Sequence, residues 1–157
     1  MKLIIMALLA FSVSFATAQV VDTVEKTQTE SFRIDSRTDF GGRVYYACES
    51  VEHKTEALLK ELGAYDISVR CSGGIDPWGG YAREAFVKTT FTVKSENAQG
   101  DQDGSYEEFE FKSFGSCHLY SEVFSQVKDA FEFERLDKVR RCFRSNDRIT
   151  ISGSVLK

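Results

Sequence analysis

The residues of this chain best equipped for chemistry are its four cysteines, Cys48, Cys71, Cys117 and Cys142, and its only two histidines, His53 and His118. A thiolate beside an imidazole can act as a nucleophile, and both groups bind zinc, but each use demands its own spacing. The chain has no Cys-x-x-Cys, and no two close ligand pairs of the kind a zinc site needs. His53 stands more than a helical turn beyond Cys48, whereas His118 directly follows Cys117, so the two Cys-His pairs would differ in geometry. Disulfide formation is the simpler chemistry. In residues 45–71 and again in 114–142, a Cys closes a short aromatic segment, an amphipathic stretch follows, and a second segment ends in Arg-Cys. This internal likeness predicts the pairs Cys48–Cys71 and Cys117–Cys142, each bracketing one helix. Cys48–Cys117 is the rival if another strand separates the two cysteines of a unit. Loops of this length should each stabilise the fold by about 3 kcal/mol when closed.

Three further segments could meet a ligand. Residues 72–81, SGGIDPWGGY, hold the only Trp and the only Pro between glycines. An aromatic displayed on a Gly-rich loop offers contact area, which makes Asp76, Trp78 and Tyr81 expected binding residues. The plainer role for Trp78 is a lid folded over the core. Gln99-x-Asp101-x-Asp103-Gly104, with Glu110 beyond it, partly matches a calcium loop, but Gln replaces the first acid and the flanks read as strands, so an acidic hairpin tip is expected. Lys138, Arg140, Arg141, Arg144 and Arg148 form a basic run, and Arg140, Arg141 and Arg144 are the expected contacts for a carboxylate or phosphate. The competing expectation is that this run pairs with Glu107, Glu108, Glu110, Glu132 and Glu134. No Gly-x-Ser-x-Gly, phosphate loop or His-Glu-x-x-His occurs, so no catalytic residue, metal site or cofactor is predicted.

The compartment follows from the start of the chain. Residues 1–18 carry Lys2, an apolar run and Ala16-Thr17-Ala18, the pattern of a cleaved signal peptide. No Cys follows the small residues, and no later run is apolar enough to span a bilayer. Cleavage shortens the 157 residues to 139, one domain's worth, and loss of Lys2 takes the net charge from −4 to −5. That sign argues against binding a phosphate backbone, so nucleic acid is not an expected partner. Neither Asn97 nor Asn146 begins a glycosylation sequon, which favours the bacterial periplasm over a eukaryotic secretory route.

Apolar periodicity supplies the elements that must position these residues. Residues 19–39 are polar and read as a flexible lead-in with at most an edge strand near Phe32–Ile34. The folded domain then covers 40–157. A first strand is expected at 43–47, followed by a helix with Val51, Thr55, Leu58, Leu59 and Leu62 on one stripe, Ser50 as N-cap and Gly63 as its stop. Ile67, Val69 and Cys71 mark the next strand, and Ala85, Val87, Thr89, Phe91 and Val93 a long one after it. The second unit repeats the order: a strand through Phe109 and Phe111, a helix carrying Tyr120, Val123, Phe124, Val127 and Phe131, a strand over 133–143, and a closing strand through Ile149, Ile151 and Val155. The expected fold is α+β, with two βαββ repeats (about 43–94 and 106–156) forming a mostly antiparallel sheet with two helices on one face.

These readings favour an exported, non-catalytic binding domain, periplasmic or secreted, whose partner is a protein or cell-envelope component met through the 72–81 loop or an open sheet edge. A small secreted hydrolase or metal-dependent enzyme is the alternative, as is an inhibitor of a secreted enzyme.

Overall fold

The computed structural model describes residues 20–39, 42–75, 80–140, 142–144 and 146–157. The expected signal peptide, Asp76, Trp78 and Arg141 lie outside the described residues. In chain order the elements are β1 (Val20–Asp35), β2 (Arg37–Asp39), β3 (Gly42–Val44), α1 (Cys48–Glu61), β4 (Tyr65–Ile75), β5 (Tyr81–Glu96), β6 (Gln102–Phe114), α2 (Cys117–Val127), β7 (Phe133–Val139) and β8 (Arg148–Leu156). Six of the strands form one sheet in the order β4-β5-β1-β6-β8-β7, and every pairing within it is antiparallel. Among the described residues the short strands β2 and β3 form a separate two-stranded pair.

The largest departure from expectation is β1. The segment read as a flexible lead-in with at most an edge strand is a 16-residue strand in the middle of the sheet. It pairs with β5 from Thr23–Glu96 to Asp35–Glu84, and its first residues, Val20 to Thr23, pair with Ser105 to Gln102 of β6. Polar side chains on both of its faces hide it from a period-two search: Thr27 and Thr29 point to one side while Lys26 and Gln28 point to the other. Two readings fall with this placement. The 43–47 segment does not open a repeat within the large sheet, because β3 pairs with β2 and the segment meets the sheet through a single bridge, Ala47 to Ile75, with the Tyr46 carbonyl accepting from Ile75 N–H. The acidic segment 99–104 is not the tip of a hairpin between paired strands either, since β5 and β6 are not neighbours; β1 lies between them, and Asn97 N–H donates to the Asp22 carbonyl.

The two halves of the sheet mirror each other in order. β1, α1, β4 and β5 arrange their strands β4-β5-β1, and β6, α2, β7 and β8 arrange theirs β7-β8-β6. Because β1 and β6 run antiparallel and join only near their N-terminal ends, each continues away from the junction in the opposite direction.

Both helices contribute to one apolar core. Val51, Leu58, Leu59 and Leu62 of the first helical stripe are fully buried, as are Val123 and Val127 of the second, against Phe91, Ile149, Ile151 and Val155 from the sheet. Phe91 stacks on Phe131 with ring centroids 5.6 Å apart. The α1 stripe matches expectation, but the N-cap is Ala47 rather than Ser50, because the Ala47–Ile75 bridge fixes where the helix begins and Val51 N–H donates to the Ala47 carbonyl. Gly63, at φ +91°, ends it as expected. The second helix stops at Val127 and passes through a 3-10 turn, Lys128–Ala130, before Phe131.

The disulfides are Cys48–Cys71 and Cys117–Cys142, with Cα atoms 5.2 and 5.7 Å apart, and no cysteine is left free. Each ties the first residue of a helix to an outermost strand: Cys71 lies in β4, and Cys142 just beyond the end of β7. The early end of β7 at Val139, against an expected strand through 143, frees Cys142 from strand alternation so that it can reach α2. Gly74 (φ +67°) is required where the edge of β4 meets the segment before α1: a Cβ there would collide with the Tyr46 carbonyl oxygen that accepts from Ile75 N–H.

Candidate functional site

With α1 and α2 on one face, the other face of β4-β5-β1 is open. Cross-strand register determines which residues share it. Ser72, Phe86 and Arg33 form one row, and Arg70, Lys88 and Ser31 form the next. Side chains directly opposite in an antiparallel pair point the same way, so all six project from this face, while the intervening Cys71, Val87 and Phe32 pack toward the core. The six and the backbone between them line a bay of about 730 Å³.

The bay joins three cations to one aromatic ring. Phe86 is 53% exposed, far more than the neighbouring core residues Val87 and Ala85. Arg33 has acidic company in Glu84 at 3.5 Å and Asp35 at 3.8 Å, exposed pairs that hold little energy. Arg70 and Lys88 have none: neither makes an ion pair or side-chain hydrogen bond among the described residues, although they stand directly opposite one another on adjacent strands. Like charges in that relation destabilise a sheet, typically by a few tenths of a kcal/mol to about 1 kcal/mol. An anion placed between them would relieve the repulsion, and the Phe86 ring beside them offers an apolar contact to whatever carries that anion.

The bay is held rigidly at its outer strand. The Cys48–Cys71 disulfide fixes β4 to α1 directly behind it, and Glu52 of α1 accepts the outward-facing amide of Cys71 at 2.7 Å. That bond also occupies a donor that an edge strand would otherwise leave bare.

The residues singled out in the sequence fall differently. Ser72, the first residue of the Gly-rich segment, lines the bay, and Tyr81 opens β5 opposite Ile75. Of the basic run, Arg140 donates its N–H to the Thr150 carbonyl, and Arg144 donates its N–H to the Asp147 carboxylate at 2.9 Å. Of the glutamates expected to meet this run, four have other partners among the described residues. Glu108 takes Arg135 and Glu110 takes Lys112, while Glu132 accepts from Ser95 and from Glu96 N–H, and Glu134 from Ser154. His53 is exposed on α1, and among the described residues no group of three His, Cys, Asp or Glu side chains is placed to hold a metal. Sequence reasoning missed Arg33, Arg70, Lys88 and Phe86 because they come from three strands and meet only through register. The one local signal was Phe86, a large apolar residue on the strand face otherwise filled by Lys88, Thr90, Thr92 and Lys94.

No family model matches the chain, and neither curated proteins nor solved structures give a significant match.

Proposed function

We propose that this protein is an exported, non-catalytic binding domain that holds an anionic group, attached to an apolar or aromatic body, in the bay on the open face of β4-β5-β1. The observation that carries this reading is the unpaired Arg70–Lys88 couple beside exposed Phe86, an arrangement that works against folding and in favour of an anion. Export rests on the signal-like residues 1–18 and agrees with two disulfides. Among the described residues no helix is long and apolar enough to cross a membrane. The mirrored strand orders support reading the domain as two β-α-β-β units, with β1 rather than 43–47 as the first strand of the first unit.

Amide NMR with phenyl phosphate as the probe tests the bay. Saturable shifts are expected at Arg70, Cys71 and Phe86 to Lys88, and the affinity there should fall about tenfold in either R70T or K88T, the loss of one charged hydrogen bond. Unmoved bay amides, or binding that survives in R70T/K88T, would overturn the reading.

A further inference from the structure

The opposite end of the same open face repeats the arrangement. In β6 and β8, Phe114 stands opposite Arg148 and Lys112 opposite Thr150, and Arg140 N–H bonds the Thr150 carbonyl on the far side of β8. Ile149 and Ile151 are fully buried toward the helices, so Arg148 and Thr150 alternate onto the open face together with Lys112 and Phe114. Each half of the sheet thus ends in two adjacent rows that hold three cations and an exposed phenylalanine. The correspondence extends to charge pairing. Lys112 is tied to Glu110 at 2.6 Å as Arg33 is to its acids, while Arg140 and Arg148 make no side-chain hydrogen bond or contact ion pair among the described residues; the charge of Arg140 still reaches Asp147, whose carboxyl is held below its usual range first by the Arg144 and Phe143 N–H groups and then by the Arg140 and Arg144 charges. Phe114 is 78% exposed, and so is Phe143, which belongs to the turn that Asp147 closes by accepting the N–H groups of Phe143 and Arg144. The Cys117–Cys142 disulfide anchors this end to α2 as Cys48–Cys71 anchors the bay to α1.

We infer that Arg140, Arg148 and Phe114 form a second binding site for the same class of ligand, a carboxylate or phosphate carried on an apolar body. This extends the proposed function, because the chemistry is that assigned to the bay, but the residues are separate. β1 and β6 diverge from their junction, and the two clusters lie about nine residues beyond it on either side, roughly 60 Å apart along an untwisted sheet. At that distance the sites are independent, since exposed charges are screened beyond about 10 Å. The protein therefore carries two anionic groups at once and can join two ligands or two points on a repeating anionic partner.

Amide NMR on the whole mature chain separates this inference from the reading of the bay. With phenyl phosphate, saturable shifts are expected both at the bay and at Lys112 to Phe114, Arg140 and Arg148 to Thr150. Benzoate as a second probe assigns the preferred anion: shifts with phosphate alone make the ligand a phosphate, and shifts with benzoate alone make it a carboxylate. In R140T/R148T the second set should disappear while the bay retains its affinity within twofold, and in R70T/K88T the reverse should hold. Shifts confined to the bay overturn the second site and leave the bay standing. Shifts confined to the second set overturn the bay and leave the second site. If neither set moves with either probe, both readings are wrong.

Discussion

Substituting Arg70 and Lys88 singly and together tests whether the bay is built at the expense of stability. Residues directly opposite on antiparallel strands have Cβ atoms about 5 Å apart, and their longer side chains diverge, which leaves the two charges about 7 Å apart in water-like surroundings. Coulomb's law at a dielectric constant of about 80 then gives a repulsion of about 0.6 kcal/mol, within the range measured for cross-strand pairs. Threonine also suits a strand better than lysine, so a single variant would mix propensity with charge, and a double-mutant cycle removes that ambiguity. Urea unfolding of wild type, R70T, K88T and R70T/K88T at low salt should show that whichever charge is removed first gains about 0.6 kcal/mol more than the one removed second. At 1 M NaCl, where the screening length falls to about 3 Å, this coupling should largely vanish while the propensity effect persists. A coupling of zero or of favourable sign at low salt would refute the reasoning, since the two cations would then not oppose each other and the main argument for an anion in the bay would fail.

Three other outcomes follow from the fold. Replacing Cys117 and Cys142 together by Ala should lower the unfolding free energy by about 3 kcal/mol in urea, because their pairing closes a 25-residue separation in the unfolded chain. Gly74→Ala should destabilise by at least about 1 kcal/mol in the same assay, since it sets a Cβ against the Tyr46 carbonyl at a positive φ. Burial, and then the nearby Glu25 carboxylate, push the Tyr65 phenol up to about 12, so its ultraviolet titration should lie well above that of free tyrosine. The neutral phenol is the form the fold favours, so its contribution to stability is complete below about pH 10 and is lost as the pH rises towards 12.

Much of the scaffold was legible because its signals are local. The stripe through Val51, Leu58 and Leu59 has the helical period, Gly63 supplies the stop, and the alternation from Ala85 to Val93 marks a strand with one buried face. Disulfide pairing was legible as well, since the two cysteine intervals bracket helices in matching places. The central strand was not. Val20, Val21, Thr23 and Val24 show the β-branched character of a strand, but Lys26, Gln28 and Glu30 face the helix side, where apolar residues would have announced burial. Its place comes from hydrogen bonds to β5 and β6, partners dozens of residues away.

The same division applies to the site. Residue type and short spacing were enough to read the amphipathic helices, a preference for the cysteine pairs that staple them, and the presence of basic residues in an acidic chain. That Arg33, Arg70, Lys88 and Phe86 meet, and that Phe114, Arg140 and Arg148 gather at the other end of the face, follows from strand pairing alone. Cross-strand neighbours are set by register, and a shift of one residue would turn every one of these side chains toward the opposite face. Register here depends on how β1 threads between β5 and β6, which no local stretch of the chain encodes.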